Sequence, residues 1–183
     1  YMLVASKGVK DMMAYELNFD EKKTIALGYP RNDVLTNAKV NLHRYFDVDF
    51  NKIVVWYPTF RQHKNGKKTG STNALPILNN AEAAIALNET AKNAGVLIVM
   101  KPHFAQDISY IKDNNLSNIR FITDEFFVEN EISSYEFIAG CDAMITDYSS
   151  VYFDYLLCDK PIALMWEDIE DYRKDPGLAV DVD

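Results

Sequence analysis

Short apolar stretches alternate with helical patterns along this chain. Residues 24–27, 53–57, 96–100, 119–123, 143–146 and 161–166 are runs rich in aliphatic and aromatic side chains. They stop at Gly28, Pro58, Lys101-Pro102, Asp124, Asp147 and Glu167. Near-continuous apolar runs of this length suit strands covered on both faces of a parallel sheet. Between them, 80–93 places Ala84, Leu87 and Ala91 on one helical stripe, with Gly95 as its stop. Residues 133–140 open with Ser133 and carry Glu136 three positions on, the pattern of a capping box. A further helix is expected over 150–158, directly after the run that ends at Asp147. Strands alternating with helices predict an α/β fold, a doubly wound parallel sheet of the Rossmann-like kind.

Residues 1–48 read as a separate piece: a strand end, a helix around 9–17, a strand, and a helix over 33–45. We therefore expect the tail of a preceding domain and an interdomain connection over 1–48. A nucleotide-binding domain is expected over 49–183, truncated at its C-terminus. Residues 62–73 carry Lys64, Lys67, Lys68 and two glycines with no large apolar side chain, and read as a surface loop.

Composition narrows the function. Lys and Arg total 19 against 27 Asp and Glu, a net charge of −8, which removes non-specific nucleic-acid binding from consideration. No run nears the ~18 apolar residues that span a bilayer. Neither GxGxxG nor GxxxxGK[ST] occurs. Cys141, Cys158 and the three histidines show no metal-ligand spacing, so no metal and no cofactor are expected. The chain opens on Tyr1 and reads as part of a longer, cytoplasmic protein.

In open α/β sheets ligands sit outside the carboxyl ends of the strands, where strand order reverses. The residues after each strand are therefore the candidates. Asp147-Tyr148-Ser149-Ser150 runs a strand into a helix whose start carries two hydroxyls, suited to phosphate; the plainer alternative is a simple N-cap. Asp154, one turn on, suits ligand hydroxyls or is a solvated helix carboxylate. Lys101 and His103 flank Pro102, which stiffens the turn; His103 suits phosphate binding or proton transfer, or is structural. Thr59 and Arg61 follow the first strand of the main sheet, where a guanidinium clamps phosphate or makes a rim salt bridge. Arg31 lies between the two pieces, near a helix start.

These segments, in order, resemble the CDP-glycerol glycerophosphotransferase family, which builds poly(glycerol phosphate) teichoic acid chains. The carrying residues are Gly28-Tyr29-Pro30-Arg31-Asn32-Asp33, Trp56-Tyr57-Pro58-Thr59-Phe60-Arg61, Lys101-Pro102-His103 and Lys160-Pro161-Ile162. The most specific block is Ile145-Thr146-Asp147-Tyr148-Ser149-Ser150-Val151-Tyr152-Phe153-Asp154-Tyr155, with Asp168 and Tyr172 as a closing element. The resemblance implies the second, nucleotide-holding domain of a GT-B architecture. It implies CDP-glycerol or a related CDP-alditol as donor and a lipid-linked glycerol-phosphate polymer as acceptor, with CMP released. On that basis Ser149 and Ser150 hold the pyrophosphate. Asp154 lies by the donor, His103 and Arg61 face the transferring phosphoryl group, and Asp147, Lys101, Thr59, Arg31 and Asp168 complete the donor site. No His-Gly pair occurs here, although the family carries one in its first domain. The base and acceptor groove are thus expected outside these residues, as is any contact with the cytoplasmic face of a membrane, and the isolated chain is expected to be inactive. The alternatives are another GT-B enzyme (a sugar transferase or a UDP-N-acetylglucosamine 2-epimerase) and a non-catalytic receiver-like module. The latter wants clustered acidic residues after its first strand, where this chain has Tyr57-Pro58-Thr59-Phe60-Arg61.

Overall fold

The structure, a computed structural model, describes residues 1–16, 20–59, 75, 77, 78, 80–103, 108–112, 114–167 and 169–174. It begins with β1 (Met2–Val4), α1 (Lys7–Glu16) and β2 (Thr24–Ala26), and β1 and β2 pair in parallel as a sheet of two strands. A 3₁₀ turn (Pro30–Asn32), α2 (Asp33–Asn37) and a second 3₁₀ turn (Leu42–Tyr45) lead to the main unit. There follow β3 (Lys52–Tyr57), α3 (Ala81–Asn93), β4 (Val96–Met100), α4 (Ser109–Lys112) and β5 (Ile119–Phe121). Then come α5 (Asp124–Glu129), α6 (Ser134–Gly140), β6 (Ala143–Thr146), α7 (Val151–Tyr155), a 3₁₀ turn (Leu156–Cys158), β7 (Ile162–Leu164) and α8 (Ile169–Lys174).

The main sheet is parallel throughout, in the order β5-β4-β3-β6-β7. The chain moves one way from β3 through β4 to β5, then returns across β3 to β6 and β7. The reversal falls between β3 and β6, the doubly wound arrangement that sequence pattern predicts. Alternation along the strands feeds two cores. Ile53, Val55, Leu97, Val99 and Met144 face one cluster, and Trp56, Ile98 and Met100 face the other. Both faces of the sheet are therefore dry, which is why its strands read as unbroken apolar runs.

Leu35 and Leu42 are buried in the first of these clusters with Phe50 and Ile53, so the stretch before residue 48 packs onto the main sheet. The single helix expected over 33–45 is two short turns instead. Thr36 Oγ1 and Asn37 Nδ2 both donate to the Asp33 carbonyl, and Asn41 starts afresh by accepting from the His43 amide at 3.1 Å. Polar side chains that bond nearby backbone compete with helix continuation in this way. The helix expected over 150–158 likewise divides into five α residues and a 3₁₀ turn, closed by Asp159 at φ 51°. The capping box expected at Ser133 and Glu136 is complete; at the start of α3, Asn80 accepts from the Ala83 amide at 2.8 Å.

Candidate functional site

The carboxyl ends of β3, β4 and β6 open on one cleft of ≈ 260 Å³. Tyr57 and Pro58 contribute from β3, Lys101, Pro102 and His103 from β4, and Ser149 from the turn after β6. Asp124 and Ser134, at the starts of α5 and α6, complete the wall. Lys101 Nζ lies 3.1 Å from Asp124 Oδ1, which anchors the ammonium at the rim. His103 is exposed. Thus Lys101, His103 and Ser149, three residues singled out from sequence, meet at the reversal point of the sheet.

Asp147 is buried, at 4 % exposure. Its carboxylate accepts from the Thr59 amide at 2.9 and 3.0 Å, and Thr146 Oγ1 donates to the Tyr57 carbonyl at 2.8 Å. Two bridges therefore tie the β6 end to the β3 end and fix the floor of the cleft. Ser150 occupies the N-cap position of α7 but makes no side-chain cap bond, so the plain N-cap reading does not describe it. Ser149 lines the cleft. A helix of five residues carries little dipole, so what these serines offer is small side chains beside the cleft rather than a strong helix field.

Asp154 is not a solvated helix carboxylate; it is 7 % exposed. It accepts from Arg31 Nη2 at 3.1 Å, Asn32 Nδ2 at 3.0 Å and the Tyr135 hydroxyl at 2.5 Å. Arg31 also lies over the Tyr29 ring at 4.3 Å. Burial lowers the Arg31 pKa, but the hydrogen bond and charge of Asp154, with Tyr135, outweigh it and raise it overall. Burial first, and then Asp154, push the Tyr135 phenol up to about 12. Arg31 and Asp154 are both ligand candidates from sequence, and here they bind one another. The arrangement ties the 3₁₀ turn before α2 to α6 and α7.

Arg61 and Asp168 lie outside the described residues, as do His63 and the lysine-bearing loop over 62–73. Tyr172, the partner of Asp168 in the closing element, stacks on Tyr148 with ring centroids 3.6 Å apart. Sequence reasoning passes over Tyr57, Asn32 and Tyr135. Each is an aromatic or amide inside a predicted element or turn, and reads there as packing or capping.

The family model for CDP-glycerol:poly(glycerophosphate) glycerophosphotransferases matches residues 1–183. The chain belongs to this family. It is 26% identical over 182 residues to a teichoic acid ribitol-phosphate primase of Bacillus spizizenii, covering 96% of this chain and 43% of that protein. It is 30% identical over 165 residues to a teichoic acid poly(glycerol phosphate) polymerase of Staphylococcus epidermidis, covering 85% of this chain and 21% of that one. Glycerophosphotransferase-family relatives are thus enzymes of teichoic acid synthesis, and the chain spans less than half the length of these two. Among solved structures, the wall teichoic acid polymerase TagF superposes with a TM-score of 0.67 at 25% identity, covering 97% of this chain and 42% of that one. A variant of TagF soaked with CDPG superposes with a TM-score of 0.70 at 21% identity, covering 99% and 40%. The α/β fold with its five-stranded parallel sheet is therefore that of a GT-B-like enzyme. Among the described residues, no helix is long and apolar enough to cross a membrane.

Proposed function

We propose that this chain is the donor-binding part of a glycerophosphotransferase that takes CDP-glycerol, or a related CDP-alditol, and extends a lipid-linked teichoic-acid-type polymer. The observation that carries the reading is the meeting of Lys101, His103 and Ser149 in one cleft at the reversal point of the sheet. The family to which the chain belongs supports the same reaction. In it, an acceptor hydroxyl oxygen forms a bond to the glycerol-bearing phosphorus. The bond from that phosphorus to the CMP oxygen breaks, and CMP leaves with the electron pair. The hydroxyl proton goes to a base supplied by a preceding domain.

Such a transfer asks the protein chiefly for positioned donors and cations around the phosphoryl oxygens. Lys101 and His103 fill that role, joined by Arg61. Ser149 and Ser150, having small side chains, let the diphosphate approach the backbone, and Thr59, held by Asp147, borders it. Asp154 and Arg31 hold the site's flank in place, and Asp168 closes it. The cleft is smaller than the ~300–1,000 Å³ of ordinary small-molecule sites, so it suits the phosphoryl and alditol part of a donor with the nucleoside beyond it. Residues 49–183 act as the donor-binding domain, with 1–48 as connection, and the whole enzyme works at the cytoplasmic face of the membrane.

Calorimetric titration of the 183-residue chain with CDP-glycerol, CDP-ribitol and UDP-N-acetylglucosamine tests this. Binding of a CDP-alditol with no response to the UDP-sugar is expected, together with no polymer formed from labelled donor. Preference for the UDP-sugar would overturn the reading in favour of another GT-B enzyme.

A further inference from the structure

Among the described residues that line the cleft, Asp124 alone carries a carboxylate. It stands just past the carboxyl end of β5. The Ile122 amide donates to the Met100 carbonyl at 2.9 Å, so β5 leaves the sheet level with β4 and brings Asp124 beside Lys101. Their 3.1 Å contact joins two unlike environments: the Lys101 side chain is 25% exposed and that of Asp124 85%. The ammonium is mostly covered by the cleft wall, while the carboxylate stands in the opening. An ion pair with one end so exposed contributes little to stability, so holding the fold together does not account for it. Ser134, at the start of α6, brings a hydroxyl to the same cleft.

The chemistry of the group limits what it can meet. An ionised carboxylate accepts hydrogen bonds and has none to give, and it repels phosphoryl oxygens. Its match on a ligand is a hydroxyl or an amino group. In a CDP-alditol these are the alditol hydroxyls, the ribose hydroxyls and the cytosine amino group. The cleft of ≈ 260 Å³ takes the phosphoryl and alditol part, which leaves the alditol hydroxyls within reach. Lys101 fits both neighbours: one ammonium has three donors, enough for Asp124 and a phosphoryl oxygen together.

We propose that the Asp124 carboxylate accepts hydrogen bonds from the alditol hydroxyls of the bound donor, with Ser134 beside it, an inference that rests on the donor-binding reading above. Asp124 is then a specificity residue. It favours a donor whose phosphate carries a polyhydroxyl group and disfavours a bare terminal phosphate, which brings further negative charge to the same place.

Calorimetric titration of the 183-residue chain with CDP-glycerol and with CDP, which lacks the alditol, tests this in wild type and Asp124→Ala. The ratio of CDP-glycerol affinity to CDP affinity should fall by about 10- to 100-fold in the variant, the range for a hydrogen bond to a charged group. CDP itself should bind as well as before or better, because a like charge has left the cleft. An exposed side chain is replaced, so the variant should melt close to wild type. Asp124→Asn keeps the size and one acceptor oxygen, should shift the ratio in the same direction by less, and serves if the alanine variant melts early. An unchanged ratio overturns this inference alone: if both affinities rise, Asp124 is only the counter-ion of Lys101, and if both fall, it meets the nucleoside. A wild-type chain that binds neither nucleotide overturns the donor-binding reading and this inference with it.

Discussion

The Arg31 guanidinium lies 3.1 Å from the Asp154 carboxylate across 123 residues of sequence. The two ends differ in solvation: the Arg31 side chain is 50% exposed and that of Asp154 only 9%. Removing Arg31 therefore strands the buried partner, which among the described residues retains the side chains of Asn32 and Tyr135 as donors. Arg31→Ala should destabilise the fold by about 1–3 kcal/mol, the cost of leaving a buried polar group short of a partner. Making Asp154→Asn in the Arg31→Ala background should cost less than in wild type, with a coupling of about 0.5–3 kcal/mol. Urea unfolding of the four proteins measures it, and additive losses would mean the pair is only a surface contact.

Most strands, and the edge of the sheet on which the site sits, were legible in sequence. Residues 96–100 and 143–146 are strands at the bounds their apolar runs suggest, because two dry faces demand apolar side chains at every position. His103, Lys101 and Ser149 were legible because loops after parallel strands converge. What escaped the sequence was non-local or ambiguous. Nothing in the order of residues announces that Arg31 meets Asp154. Tyr57 and Tyr135 read as core, and Tyr57 does pack on the core. The helices α4, α5 and α8 span four to six residues, too few for a periodic stripe.

Gly95 closes α3 at φ +64° and sits directly against β3's approach. A Cβ built there would lie 2.5 Å from Asn51 Nδ2. Gly95→Ala should therefore cost about 1–2 kcal/mol for the left-handed backbone alone, with the clash added. Asn51→Ala in the same chain should relieve the clash and leave the backbone cost. Thermal melting separates them. No rescue by Asn51→Ala would show that the asparagine moves aside freely.

The capping box at α6 predicts a pH effect. Hydrogen bonds from the Ser133 backbone and side chain hold the Glu136 carboxyl below its ordinary value of 4.5. A depressed folded pKa contributes stability that is present above the unfolded value and is lost as pH falls through the folded one. Glu136→Gln should therefore lower stability at pH 7, where the ionised carboxylate contributes in full, approach wild type in acid, where Glu136 is protonated, and so flatten the limb below pH 4.5. Ser133→Ala should cost about 0.5–2 kcal/mol at neutral pH. Melting between pH 3 and pH 7 reads both, and an unaltered acid limb in Glu136→Gln would remove this residue as the cause.

His103 is exposed at the end of β4. An exposed side chain contributes little to stability, so His103→Ala should melt within about 0.5 kcal/mol of wild type. In the full-length enzyme the same change should lower turnover by about 10²–10⁴-fold, the range for a positioned acid, base or charge stabiliser. The comparison needs CDP-glycerol binding measured alongside turnover. A variant that folds, binds donor and transfers at the wild-type rate would leave Arg61 and Lys101 as the groups acting on the phosphoryl oxygens.

Ser149 and Ser150 are adjacent in sequence but unequal in the fold. Ser149 lines the cleft, while Ser150 is exposed at the N-cap of α7 and makes no side-chain cap bond. A leucine at either position therefore removes no cap and opens no cavity, and melting should stay within about 1 kcal/mol of wild type. The effects on binding should differ. Ser149→Leu puts four carbons into the space a phosphate needs, and CDP-glycerol binding should drop out of calorimetric range. Ser150→Leu should leave measurable, weakened binding, because five helical residues contribute little field for the phosphate to lose. The order of the two losses is the informative result. If Ser150→Leu were the more damaging change, the phosphate would sit on the helix start rather than against Ser149.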